Sequence, residues 1–140
     1  MEFQLSQQTV TVVKNGQFGP YVAVGRRKEK ATRWVFLSTQ AWTELTNNID
    51  KVTAMVKQCL DKEETIVLTK RVKLTASCFK DRYYIGIHST DRNGQRIKGH
   101  GMNLNMDEWS QLVQQVPKID VNLKINRKRM GDKARSEEHT

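Results

Sequence analysis

Phe79, Lys80, Arg82, Tyr84 and His88 fall in one short stretch that alternates flat rings with cations. Cations neutralise phosphates, and rings accept stacked bases at about 1–3 kcal/mol per base with little regard to sequence. Lys70 and Lys73 upstream and Lys98 downstream, the last beside His100, extend the charge. An earlier stretch repeats the mixture more loosely with Phe18, Tyr21, Arg26, Arg27, Lys28 and Arg33. A ligand that is both polyanionic and planar fits this mixture, which points to single-stranded nucleic acid. Other chemistry has less to stand on. His88, His100 and His139 lack the cysteine or carboxylate spacing of a metal site. No phosphate-cradling glycine loop is present, and Cys78, although next to Phe79-Lys80, has no base placed to activate it. Cys59 and Cys78 cannot build a disulfide framework. The expectation is a binding protein with no catalytic residue, no metal and no cofactor.

Strands must carry these side chains. Thr9–Val12 alternates with period two and is β-branched, and Tyr21–Val24 and Arg33–Leu37 read as further strands. Asn15-Gly16 and Gly19-Pro20 mark a turn between them. Val72–Ser77 and Arg82–His88 alternate in the same way, Asp91–Gly94 is a hairpin turn, and Gly101–Leu104 closes the sheet. If Ile85 and Ile87 pack inward, then Arg82, Tyr84, Gly86 and His88 face outward, as do Arg71, Lys73 and Thr75, and Tyr21 and Ala23 in the first stretch. Each exposed sheet face should then mix cations with an aromatic. Helices should follow each group of strands. Ser38 caps the first, whose apolar stripe is Trp42, Leu45, Ile49, Val52 and Val56. Asn105 and Glu108 form a capping box for the second, with Trp109, Leu112 and Val116 as its stripe. The stripes assign Trp42 and Trp109 to packing. Pro117 should kink or end the second helix, and Ile119–Ile125 reads equally as strand or helix.

The chain has 140 residues and a formal charge of +9, from 24 Lys and Arg against 15 Asp and Glu. The charge comes in blocks: +4 over 1–38, −2 over 39–65, +6 over 66–105, −1 over 106–125 and +2 over 126–140. Basic strands thus alternate with mildly acidic helices, twice. The halves also overlay: Phe3-Gln-Leu5 on Ile66-Val-Leu68, Tyr21–Val24 on Tyr84–Ile87, and Leu37-Ser38 with Trp42 and Leu45 on Leu104-Asn105 with Trp109 and Leu112. The fold class expected is α+β, with two repeats of a four-stranded antiparallel sheet followed by a helix. The units are 1–62 and 63–125, with 126–140 a basic, disordered tail. No apolar run is long enough for a membrane helix, and MEFQLSQQ has neither the basic nor the apolar region of a secretory leader.

Phe79-Lys80 before a strand, the Tyr83–Ile87 strand, a polar hairpin, Gly101-Met-Asn-Leu-Asn105 and Glu108-Trp109-Ser-Gln-Leu112 resemble the C-terminal domain of the positive cofactor 4 family. That family comprises single-stranded-DNA-binding transcriptional coactivators. The resemblance covers about residues 64–123, and 1–60 looks like a more diverged copy. It implies a curved four-stranded antiparallel sheet with a helix behind it, two such units paired, and single-stranded DNA across the exposed sheets. Here one chain carries both units as a single-chain pseudo-dimer. The family's loop pair falls on Phe79 and Lys80, its next basic position on Arg82, its first-strand cation on Lys70, and the basic end of its second strand on His88. Its basic residues before the last strand fall near Lys98 and His100. A tryptophan that stacks on bases falls near Asp91, so that contact is lost or moved. Phe18 takes the place of the loop aromatic in the first unit.

These observations imply sequence-tolerant binding of single-stranded DNA in transcription regulation, replication or repair. RNA is an alternative ligand. So is an acidic protein partner of a coactivator module, favoured by the missing tryptophan. Arg127-Lys-Arg129, Lys133 and Arg135 suit a nuclear signal or extra phosphate contacts; in a prokaryotic or phage protein the location would be cytoplasmic.

Overall fold

The structure, a computed structural model, describes residues 2–17, 19–28, 31–58 and 62–138, and of 28, 31–32 and 127–138 only the backbone. Phe18 and Cys59 lie outside these residues, as do the side chains of Lys28 and of the basic residues after Asn126.

The β-branched alternation produces strands β1 (Glu2–Gln4), β2 (Thr9–Gly16), β3 (Gly19–Lys28) and β4 (Ala31–Ser38), then β5 (Glu64–Thr69), β6 (Val72–Phe79), β7 (Arg82–Thr90) and β8 (Arg96–Asn105). They make two four-stranded antiparallel sheets, each in simple sequence order. Helices α1 (Thr39–Asn47) and α2 (Ile49–Gln58) follow the first sheet and α3 (Met106–Glu138) follows the second, so the class is α+β. No described helix is long and apolar enough to cross a membrane.

Caps start the helices where the side chains predict. Ser38 Oγ accepts the Ala41 N–H at 3.1 Å. Asn105 Oδ1 accepts the Glu108 N–H at 2.8 Å, and Glu108 Oε1 accepts the Asn105 N–H at 3.1 Å, which is the capping box. Interruptions differ from expectation. The stripe from Trp42 to Val56 is not on one helix: the chain breaks at Asn48, whose side-chain amide donates to the Glu44 carbonyl at 2.7 Å while its carbonyl accepts from Val52 at 2.8 Å. A short amide side chain competes in this way for backbone groups. Conversely, Pro117 does not end α3. A proline inside a helix costs about 3 kcal/mol. Ile119 and Leu123, buried just beyond it, return about 1.5–3 kcal/mol each. The backbone is helical to Glu138.

The inner faces of both sheets and the apolar stripes of all three helices form one core. Its connectivity is crossed. Helix α2 packs on β6 and β7 of the other sheet, and α3 reaches over β2 and β3 as well as β7 and β8. Trp42 and Trp109 are 1% and 2% exposed. Trp42 Nε1 donates to Asp120 Oδ1 at 2.7 Å, and Trp109 Nε1 donates to Thr53 Oγ1 at 3.2 Å. The two indoles are 67 positions apart, and so are their two acceptors. The strand registers repeat too. Phe3↔Thr11 and Val13↔Val22 recur as Ile66↔Leu74 and Ala76↔Ile85, 63 positions on. On the last strand the interval becomes 67, Val22↔Leu37 answering to Ile85↔Leu104. The extra residues lie in the β7–β8 hairpin, where the register slips and Thr90 pairs with Arg96.

Replacing an indole by phenyl keeps most of the packing and removes one donor. Trp42→Phe should therefore destabilise the chain by about 1–3 kcal/mol, the cost of stranding a partly buried acceptor. A lower urea midpoint at unchanged slope is the expected result; an unchanged midpoint would show that the Asp120 bond contributes nothing.

Candidate nucleic-acid interface

The outer face of the second sheet is set by its register. Lys73, Thr75, Ser77 and Phe79 on β6 stand opposite His88, Gly86, Tyr84 and Arg82 on β7. Successive pairs on this face are about 7 Å apart, two residues of strand rise. The β6–β7 turn consists of Lys80 and Asp81, with φ of 51° and 61°, the left-handed pair of a tight hairpin turn. Non-glycine residues hold that geometry at a cost, and here the turn presents Phe79 with 64% of its surface exposed. Lys80 Nζ is 5.4 Å from the Phe79 ring centroid, within cation–π range.

The face is less open than strand alternation predicts. Thr75 and Gly86 are buried, and Lys73 Nζ donates to the Gly94 carbonyl at 2.8 Å. The His88 ring lies across Gly86 and Gly101, since a Cβ on either would overlap it. Its Nε2 is 3.3 Å from Thr75 Oγ1. Burial and then the nearby Arg96 charge lower its pKa, against a smaller upward pull from Glu63. Near pH 7 His88 is thus a flat plate rather than a cation.

A cleft of about 470 Å³ runs over Tyr84, Asn103 and Asn105 and is walled by Ser6–Thr9, Arg26 and Glu108. A second, of about 380 Å³, runs over His88, Gly101 and Ile97 and is walled by Arg26 and Arg33. Arg26 and Asn103 line both, so the two form one trough over β7 and β8 with a wall from the first half of the chain. The trough unites Tyr84, His88, Arg26 and Arg33. Arg26, however, is committed: its Nε donates to Thr9 Oγ1 at 3.2 Å and its Nη2 to the Asn103 carbonyl at 2.7 Å and Glu108 Oε1 at 3.0 Å. Glu108 also accepts from Ser6 Oγ at 3.0 Å. Burial raises the Glu108 pKa. Hydrogen bonds from Thr9 and the Asn105 N–H, the Arg26 charge and the Ser6 hydroxyl outweigh it and leave the carboxyl below its ordinary value.

The remaining predicted residues are dispersed. Phe79, Lys80 and Arg82 form one tip of the second sheet. Lys70 lies in the β5–β6 turn at the opposite end, where Thr90 Oγ1 donates to its carbonyl at 3.1 Å. Lys98 and His100 are exposed in the irregular start of β8, beside the trough. Arg27 pairs with Glu2 at 3.2 Å. Asp91 Oδ1 accepts from the N–H groups of Asn93 and Gln95, so this position caps a turn and holds no ring.

The first sheet departs most from expectation. Ala23, predicted to face solvent, is 1% exposed, and Val10 and Val12 on the same face are also buried. That face carries two rings missed from the sequence, Trp34 and Phe36. The alternation Trp34-Val-Phe36-Leu, with Val35 and Leu37 inward, was the available signal.

Among the described residues no group of three or more His, Cys, Asp or Glu is arranged to hold a metal. No protein-family model matches the chain, and no curated protein matches it.

A carboxyl held below its ordinary pKa stabilises the fold above the unfolded-state value, about 4.5, and that stability is lost as pH falls through the folded value. The stability gap between wild type and Glu108→Gln should be full at pH 6–7 and shrink below pH 4.5. A gap independent of pH from 7 to 3 would remove the charge of Glu108 from the account.

Proposed function

We propose that the chain binds single-stranded DNA with little sequence preference, in transcription regulation, replication or repair, as a single-chain pseudo-dimer of the positive cofactor 4 kind. The observation that carries the reading is the common side of Phe79, Arg82, Tyr84 and His88 on one sheet, continuous with a trough that Arg33 enters from the other half. Phe79 and Tyr84 fall on neighbouring pairs about 7 Å apart, with His88 two pairs further along, and rings spread along a strand pair in this way suit bases splayed from a flexible backbone. In a duplex those bases are stacked on each other and closed to the rings.

The pseudo-dimer is supported by the recurring registers and above all by the two indole bonds. In a twofold pair, a residue of one unit that touches a second residue of its partner is touched back in the same way. Trp42 to Asp120 and Trp109 to Thr53 obey that rule within one chain.

Electrophoretic shift or anisotropy should give tight binding of an oligothymidylate and weak binding of duplex. Affinity should fall with salt at about −0.7 in log–log slope per phosphate contacted. Phe79→Ala and Tyr84→Ala should each cost about 1–3 kcal/mol with little change of slope, whereas Lys80→Ala should flatten it by about 0.7. Equal affinity for duplex, or none for single strands, contradicts the proposal. A matched oligoribonucleotide that outcompetes DNA moves it to RNA.

A further inference from the structure

We infer that a phosphate held in the cleft over His88 is taken up together with a proton on the imidazole, so that the trough grips a strand more tightly as pH falls below neutrality; this rests on the single-strand reading above. The ring is fixed by its surroundings. A Cβ on Gly86 would meet its Nε2 and a Cβ on Gly101 its Nδ1, so the two glycines make room for the two nitrogens. Thr75, 2% exposed, sets its Oγ1 3.3 Å from Nε2. A hydroxyl both donates and accepts. It therefore serves the ring in either charge state, donating to a bare Nε2 or accepting from a protonated one. One hydroxyl rotation accommodates the change, and neither partner is left unpaired.

The charges around the ring are mostly cations. Lys73 is its cross-strand neighbour on β6, and Arg26 and Arg33 wall the cleft from the first half. Arg96 lies on β8, with Lys98 and His100 exposed further along that strand. The nearby carboxylates are engaged: Glu63, just before β5, pairs with Arg96, and Glu108 pairs with Arg26. No Asp or Glu is among the described residues lining this cleft. Lys73 is held only by the uncharged Gly94 carbonyl. A charge on His88 is thus opposed by burial and by Arg96, with Glu63 alone pulling the other way. A phosphodiester in the cleft supplies the missing anion. An opposite charge within about 4–6 Å favours the charged imidazole. Coupling is reciprocal, so a ligand that strengthens proton binding is itself bound more strongly by the protonated form. The sign follows. Affinity is flat above the bound-state pKa, rises by up to about tenfold per pH unit below it, and levels off below the free-state value.

Oligothymidylate is the suitable probe, because neither its bases nor its phosphodiesters titrate between about pH 5 and pH 8. Anisotropy at fixed salt should show the wild type binding about threefold or more tightly at pH 5.5 than at pH 7.5. His88→Gln, polar but unable to take the charge, should bind equally at the two pH values, and His100→Gln should keep the wild-type dependence. In the wild-type protein the imidazole titration of His88, followed by its proton resonances, should move to higher pH on saturation with oligothymidylate. Binding independent of pH, a dependence that survives His88→Gln, or a titration unmoved by the ligand overturns the proton link and leaves the single-strand reading intact. Absence of binding at both pH values overturns both.

Discussion

Neither sheet is covered by its own helices alone. A unit of about 60 residues buries too little surface to be secure by itself, and here each half borrows cover from the other: α2 lies on the second sheet and α3 on the first. The buried Trp42 and Trp109 sit at this exchange, each with its indole N–H satisfied across the junction. This crossing fixes the halves relative to one another. A trough floored by β7 and β8 and walled by the Ser6–Thr9 segment and Arg33 forms where the halves meet, with β4 lying directly against β8.

Ion pairs, one of them across the halves, decide where charge is available. By sequence the two strand regions carry +4 and +6. In the first, Arg26 is engaged with Glu108 and Arg27 with Glu2. Its outer face is left dominated by Tyr21, Trp34 and Phe36. The second keeps Lys80 and Arg82 at an exposed tip and Lys98 on an exposed irregularity. One half thus exposes rings and the other cations, an asymmetry that the block charges only hint at.

Local signals were legible in the sequence and compensated ones were not. Strand alternation, the Ser38 and Asn105–Glu108 caps and the Asp91 turn depend on a few neighbouring residues, and each is formed. Pro117 does not end α3, because the packing of Ile119 and Leu123 compensates a local penalty. Arg26 looks like a free cation because its partner is 82 positions away. The α1–α2 break hangs on one Asn side chain within an unbroken apolar stripe. Trp34 and Phe36 were readable by parity, since Val35 and Leu37 had to face inward. They are hidden only if every ring in an apolar strand is assigned to the core.

The central proposal is that one chain binds single strands as a self-contained pseudo-dimer. Native mass measurement with an oligothymidylate of about four to six nucleotides, near the lower end of single-strand site sizes, tests it most directly. The account predicts a 16.2 kDa monomer that takes up first one and then two strands as the oligonucleotide is raised. A stable homodimer without ligand that takes one strand per pair of chains would contradict it.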